Sequence, residues 1–268
     1  MTLGKQAFIL LLMAACSPPS FAVEIIGHRG AAHDAPENTL PSIRLGFEQG
    51  ADAVEIDIHL SADGKIVASH DADTKRVSGR ELRIAETHLA ELRKLDVGSW
   101  KGDAFRGAVM PTLAEAIDAV PDDKLLVIEI KCCAEALPEL ERVLDASGKR
   151  SQTLLIAFDY ETIVAAKKRL PDQPAYWLYG YSEREAKRYG IAGTEDLVRM
   201  AKSAGLDGLD VNHRGLQDGE LADRLHADGM KLYVYTVNER ADAERLIGIG
   251  VDGLTTDRPG WLREQLGR

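Results

Sequence analysis

The chain places its ionisable residues in short, evenly spaced clusters. Glu55 and Asp57 are separated by one residue, and so are Glu129 and Lys131. His28 precedes Arg29 between Gly27 and Gly30, and His70 precedes Asp71. Three carboxylates brought together suit a hard, oxygen-preferring cation, Ca²⁺ or Mg²⁺. Arg29 offers a planar fork and Lys131 a point charge, and both match phosphate oxygens. Two histidines near neutral pH can divide a reaction between them, one taking a proton and the other giving one. The Asp71 carboxylate is placed to orient His70. The remaining histidines, His33, His59, His88, His213 and His226, are assigned no role, although His33 and His213 fall in βα loops. Taken together, these residue types describe metal-assisted acid–base chemistry on an anionic ester, and a phosphodiester fits such a pocket.

That chemistry requires the clusters to converge, and the intervening sequence supplies the means. Short β-rich runs begin near residues 23, 53, 125, 153, 174, 208, 232 and 253, and they alternate with stretches of helical spacing. Such alternation is the pattern of βαβ units and a parallel sheet. Eight repeats over this length predict a single (β/α)₈ (TIM) barrel, and no Gly-x-Gly-x-x-Gly follows the first strand to favour an open dinucleotide-binding sheet. Residues i and i+2 of a strand share a face. Glu55 and Asp57 therefore face away from Val54, Ile56 and Ile58, as Glu129 and Lys131 face away from Ile128 and Ile130. The apolar sets belong beneath the outer helices, which sends the charged sets into the barrel. His28, His70 and Lys131 fall at C-terminal strand ends, the catalytic end of such barrels.

Two segments depart from the rhythm. Residues 65–70 read as a partner or extension of the second strand after an Asp63-Gly64 turn. Residues 71–110 are too long for an ordinary βα loop and carry their own apolar pattern (Leu82, Ile84, Leu89, Leu92, Leu95, Val97, Trp100). They are expected to form a small inserted cap beside the site.

Composition sets outer bounds. The 268 residues are 45% hydrophobic and 28% charged, with a formal charge of −10. That acidity and the lack of a basic stripe argue against nucleic acid as a partner. A small anionic substrate would depend on Arg29, Lys131 and a cation for local positive charge. Residues 1–22 differ from the rest: Lys5 is their only charged residue, Ala7 to Ala15 is apolar, and Ser20-Phe21-Ala22 ends in small residues. This is the form of a secretory signal peptide, with the barrel in residues 23–268 and a periplasmic or secreted destination. The apolar run is too short for a transmembrane segment. Met13-Ala14-Ala15-Cys16 offers an alternative route, a lipid anchor on Cys16 that would make the protein a membrane-anchored lipoprotein. Cys132 and Cys133 are adjacent, a spacing that disfavours a disulfide between them.

In order along the chain, Gly27-His28-Arg29-Gly30, Pro36-Glu37-Asn38-Thr39, Glu55-Ile56-Asp57, His70-Asp71, Pro111-Thr112-Leu113, Glu129-Ile130-Lys131, Tyr235-Thr236-Val237-Asn238 and Thr256-Asp257-Arg258-Pro259 resemble the motifs of the glycerophosphodiester phosphodiesterase family. The resemblance spans residues 23–262. It implies a Ca²⁺ or Mg²⁺ held by Glu55, Asp57 and Glu129, with acid–base roles for His28 and His70. It also implies phosphate contacts from Arg29 and Lys131, and places Glu37, Asn38 and Tyr235 at the metal and substrate. The implied reaction releases glycerol 3-phosphate and an alcohol from a glycerophosphodiester. One histidine is expected to free the glycerol hydroxyl for attack on phosphorus while the other protonates the departing alcohol; either order fits the residues, with His28 as base and His70 as acid the favoured one. Tyr235 stands where the family often has tryptophan, and Asp71–Val77 departs from the family's usual run. A phosphodiesterase of intact phosphoinositide or sphingomyelin lipid would need exposed apolar residues at the barrel mouth, and a phosphodiester-binding protein without turnover would not need two histidines.

Overall fold

A computed structural model describes residues 23–268. The expected leader over residues 1–22 and the Cys16 lipid site lie outside the described residues. The strands are β1 (Glu24–Gly27), β2 (Ala53–Leu60), β3 (Ile66–Ala68), β4 (Leu125–Ile130), β5 (Thr153–Ala157), β6 (Ala175–Tyr179), β7 (Gly208–Asn212), β8 (Lys231–Tyr235) and β9 (Gly253–Thr256). All but β3 are parallel, in the order β1-β2-β4-β5-β6-β7-β8-β9, and β9 returns to β1 through Glu24↔Gly253 to Gly27↔Thr256. This closes the eight-stranded (β/α)₈ barrel that the alternation predicted. β3 folds back antiparallel on the outer half of β2, pairing Ala68 with Ile58. The Asp63-Gly64 turn joins them.

Strand alternation divides the apolar residues into two layers. Val54, Ile56, Ile58, Ile128, Ile130, Leu209 and Val211 face outward into a large core shared with the helices. Those helices include Leu40–Glu48, Leu113–Asp118, Leu137–Ser147, Tyr160–Arg169, Thr194–Ser203 and Glu220–Ala227. Each fully buried aliphatic side chain in such a layer contributes roughly 1.5–3 kcal/mol of hydrophobic stabilisation. A smaller inner cluster fills the barrel floor with Ile26, Ala53, Val127, Leu154, Ile156, Tyr176, Leu178 and Tyr233. The Tyr176 and Tyr233 rings meet edge to face, 5.0 Å between centroids, and the Tyr233 hydroxyl donates to Glu24 at the start of β1. The floor is closed by apolar and aromatic bulk, so the charged inward residues are left to line the opposite, C-terminal end.

Two features border that end. Asp71–Met110 carries short helices at Lys75–Ser78 and Leu89–Leu92. Its residues Ile84, Leu92 and Met110 form a small core on Val67 of β3, while Trp100 at its far end is 44% exposed. The helix Glu183–Tyr189 was not expected from periodicity. It is fixed by a capping box between Ser182 and Glu185 and stops at Gly190 in the left-handed region. Among the described residues, no helix is long and apolar enough to cross a membrane.

The floor packing leaves no spare volume at β9. A Cβ on Gly253 would lie 2.6 Å from Tyr233 Cδ1 and 2.8 Å from Ile26 Cδ1. We expect Gly253→Ala to cost about 1–3 kcal/mol through overpacking, lowering Tm by roughly 2–10 °C in a thermal melt. A melt unchanged within error would show that the floor has room to adjust.

Candidate active site

Glu55 and Asp57 of β2 and Glu129 of β4 point into the barrel, as their spacing predicts. They are 3%, 1% and 8% exposed. Each offers a carboxylate oxygen within 4.8 Å of the others. Three buried like charges repel one another, and two of the three carboxyls are pushed above their ordinary value. Burial pushes Glu55 well above the ordinary carboxylate value, and Asp57 and Glu129 add to the push. Burial, aided by Asp57, pushes Glu129 up to about 7, although Lys131 opposes it. Burial also acts on Asp57, but Arg29 and Lys131 outweigh it and hold that carboxyl below its ordinary value.

Two cations partly neutralise the cluster. Lys131 Nζ lies 2.9 Å from Glu129 Oε1 and 3.6 Å from Asp57 Oδ1. Arg29 Nε lies 3.4 Å from Asp57 Oδ2, and the Arg29 backbone N–H donates to Glu55 Oε2 at 2.9 Å. Even so, Glu55 Oε1 and Asp57 Oδ1 are buried with no hydrogen-bond partner. Orphaned carboxylate oxygens in a dry site are costly. Oxygen donors converging on one point are what a divalent hard cation requires, so the residues fit such an ion.

The histidines stand at the edge of this cluster, each backed by a carboxylate. His28 Nδ1 lies 2.7 Å from Asp257 Oδ1, and Asn238 Nδ2 donates to Asp257 Oδ2 at 2.6 Å. His70 Nδ1 lies 2.8 Å from Asp71 Oδ1. Engaging Nδ1 fixes each ring and leaves Nε2 for chemistry. Burial lowers the His70 pKa, with Asp71 pulling the other way. The turn that carries His28 and Arg29 is built on tight contacts. Gly30 has φ +89°, and a Cβ there would meet the Ser42 backbone at 2.5 Å.

Glu37 and Asn38 act behind the cavity wall. Asn38 is buried, donates from Nδ2 to Asp57 Oδ2 at 2.8 Å and accepts from the Asp57 N–H at 3.0 Å, which holds that carboxylate in place. Glu37 Oε1 accepts from Arg29 Nη1 at 2.9 Å. Both Glu37 oxygens also accept from Arg76, whose Nε donates to Asp71 Oδ2 at 2.7 Å. One continuous set of charged hydrogen bonds therefore runs from His70 through Asp71, Arg76 and Glu37 to Arg29.

His28, Arg29, Glu55, His70, Glu129, Lys131 and Tyr235 line a single cavity of about 240 Å³ at the C-terminal end of the barrel. Its far wall is Ile156, Phe158 and Leu178. Tyr235 presents its ring, meeting Phe158 edge on at 5.8 Å, and its hydroxyl donates to the Tyr179 carbonyl at 3.3 Å. The cavity thus has a charged side on β1, β2 and β4 and a largely apolar side on β5, β6 and β8.

Sequence reasoning missed three contributors. Asp257 and Asn238 lie within motifs noted above, but their contact with His28 joins residues far apart in the chain. His59 is buried, with its Nε2 3.2 Å from the His70 carbonyl oxygen, where it supports the catalytic-end turn. The i, i+2 rule could have flagged it, since His59 continues the face of Glu55 and Asp57.

The chain matches the glycerophosphoryl diester phosphodiesterase family over residues 28–261. It is 30% identical to a glycerophosphodiester phosphodiesterase of Caldanaerobacter subterraneus subsp. tengcongensis, across 89% of this chain and 95% of that one. A phosphodiesterase of Oleispira antarctica, solved in complex with the product sn-glycerol-3-phosphate, superposes with a TM-score of 0.80 at 30% identity, covering 93% of this chain and 98% of that one. A glycerophosphodiester phosphodiesterase of Thermotoga maritima gives a TM-score of 0.73 at 28% identity, covering 90% and 97%. The family match spans nearly all of the described barrel and includes each of the charged clusters built above, so this chain belongs to the glycerophosphoryl diester phosphodiesterase family and is an enzyme of that kind.

Proposed function

We propose that this enzyme hydrolyses glycerophosphodiesters to glycerol 3-phosphate and an alcohol, with a divalent cation at Glu55, Asp57 and Glu129 and acid–base catalysis by His28 and His70. The observation that carries the reading is one cavity lined by two carboxylate-backed histidines, two cations, Glu55 and Glu129, with Asp57 clustered beside those two carboxylates and orphaned oxygens on Glu55 and Asp57. Charge balance supports it. Three carboxylates against Arg29 and Lys131 leave one negative charge, and a divalent ion turns this to one positive, which a phosphodiester's single charge neutralises. A cation bound there, Ca²⁺ or Mg²⁺, would polarise a phosphoryl oxygen and ease ionisation of a neighbouring hydroxyl.

The chain's own residues then divide the work. Arg29 and Lys131 hold the phosphoryl oxygens and stabilise charge as it builds on them. His28 takes the proton of the substrate's glycerol hydroxyl as that oxygen attacks phosphorus. Asp257 stabilises the imidazolium so formed, and Asn238 keeps Asp257 aimed. His70 gives a proton to the departing alcohol oxygen; its lowered pKa makes the protonated ring a readier donor. Water opens the resulting cyclic phosphate with the histidine roles exchanged. The far wall of Ile156, Phe158, Leu178 and Tyr235 covers the carbon-bearing part of the substrate.

The described residues include two exposed large hydrophobics, Trp100 and Phe158, and both border the mouth in separate clefts. Single aromatics do not make the contiguous apolar patch that a lipid surface would need, which favours a soluble diester. Residues 1–22 are read as an export signal on their charged start, apolar stretch and small-residue end. Intact-mass measurement of protein recovered outside the cytoplasm should give a chain beginning at Val23; an unprocessed start would contradict export by cleavage, and a lipidated Cys16 would establish the anchored form.

The central test is release of glycerol 3-phosphate from glycerophosphocholine after chelation and after adding back Ca²⁺ or Mg²⁺. Activity should vanish with chelator and return with one of the ions; turnover that persists after chelation would remove the metal from the scheme. His28→Ala and His70→Ala should each lower kcat by about 10²–10⁴-fold with little change in Tm, and near-normal activity in both would end the two-histidine mechanism. Because Glu129 must lose its proton to serve as a ligand and its pKa is raised to about 7, metal affinity should weaken as pH falls below that value. Calorimetric titration should show this slope in the wild type. In Glu129→Gln it should show a shallower slope and a Kd weaker by about tenfold or more; an unchanged Kd would exclude Glu129 from the ligand set.

A further inference from the structure

The catalytic cavity contains one charged residue that the reaction above leaves unused. On β7 the alternation sends Leu209 and Val211 outward into the helix layer, and Asp210 inward to the cavity wall. Asp210 is 3% exposed, and its Oδ1 is buried without a hydrogen-bond partner. Its register neighbours offer it nothing: Leu178 on β6 is aliphatic, and the hydroxyl of Tyr233 on β8 is committed to Glu24. Tyr235, the next inward residue of β8, has given its hydroxyl to the Tyr179 carbonyl. Glu129 acts on Asp210 as a like charge, so it provides no compensation.

A buried acid without a partner inside a catalytic chamber is costly to keep, and such costs concentrate where a ligand relieves them. The form of that ligand follows from the surroundings. A phosphoryl group belongs with Arg29 and Lys131 on the β1–β4 side and would be repelled by a carboxyl. The walls beside Asp210, Ile156 and Leu178, suit carbon. What remains is a hydroxyl carried on a short carbon unit that reaches from the phosphoryl position across the chamber. Of the two free hydroxyls of a glycerophosphoryl group, the one nearer phosphorus is the attacking oxygen, which leaves the terminal one.

We propose that Asp210 is a specificity-determining residue that hydrogen-bonds the terminal hydroxyl of the substrate's glycerol unit. It thereby selects diesters whose glycerol carries that hydroxyl free over those in which the terminal oxygen is missing or acylated. This rests on the glycerophosphodiester reading given above and deepens it. A carboxyl can meet a hydroxyl as acceptor or, when protonated, as donor, so the contact does not depend on which form is present.

The test compares kcat/KM for glycerophosphocholine with that for 2-hydroxypropyl phosphocholine, the same diester without the terminal hydroxyl, in the presence of the activating ion. Wild type should prefer glycerophosphocholine by about tenfold or more. In Asp210→Ala the preference should fall to under about threefold, mainly through loss on glycerophosphocholine. Asp210→Asn keeps the shape and one hydrogen bond and should lie between. A wild-type ratio near one, or an Asp210→Ala ratio equal to that of wild type, would overturn the assignment. Thermal melts separate a structural role, because relief of an unpaired buried acid should leave the Tm of Asp210→Asn at or above that of wild type. A fall of several degrees with an unchanged ratio would mark Asp210 as a packing residue and overturn the proposal. Failure of wild type to cleave either diester would sink the glycerophosphodiester reading itself, whereas equal cleavage of both would sink only the role of Asp210.

Discussion

Glu55, Asp57 and Glu129 repel one another across less than 5 Å, and most of what surrounds them answers that repulsion. Strand alternation forces them inward because Val54, Ile56, Ile128 and Ile130 claim the helix side. Once inside they cannot be hydrated as surface carboxylates are, so Arg29, Lys131 and Asn38 converge on Asp57. Those partners in turn need holding, and Glu37 grips Arg29. The phosphate-binding cations are therefore positioned by the same electrostatic demand that creates a cation site. The sealed floor of tyrosines and aliphatics keeps water from approaching below. A barrel with an apolar interior throughout would be simpler to stabilise, but it would offer no cationic pocket in a chain of net charge −10.

The parts of this arrangement that the sequence makes legible are those governed by local periodicity. The strand period of two separates Glu55 and Asp57 from their apolar neighbours, and β/α alternation places His28, His70 and Lys131 at one end of a closed sheet. Eight strands were expected, and eight close the barrel. The helix Glu183–Tyr189 escaped because it is short and lacks a buried face; its signal was the Ser182-x-x-Glu185 capping box rather than any apolar stripe. Asp257 and Asn238 escaped as partners of His28 for a different reason. Their contact spans 229 residues of sequence between Asp257 and His28, and only barrel closure between β9 and β1 brings them together. Periodicity shows which way a side chain points; it does not show what waits on the other side.

The histidines show how unlike surroundings make like residues distinct. Asp257, behind His28, is anchored by the Asn238 amide on the loop after the neighbouring strand β8. Asp71, behind His70, is its chain neighbour and is held in turn by a guanidinium from the inserted segment. One backing group is thus fixed by the barrel itself and the other by an appendage to it.

Within that appendage, Arg76 ties the two sides of the site together. Arg76 grasps Asp71 with one edge and Glu37 with the other, so it gauges the distance between the histidine at the end of the β2–β3 hairpin and the arginine after β1. Its hydrogen bonds to both carboxylates tie the two sides of the site at a fixed spacing, much as a tie-rod joins two wheels. The surface segment that looks freest to vary then carries, in Asp71 and Arg76, two positions that are not free at all.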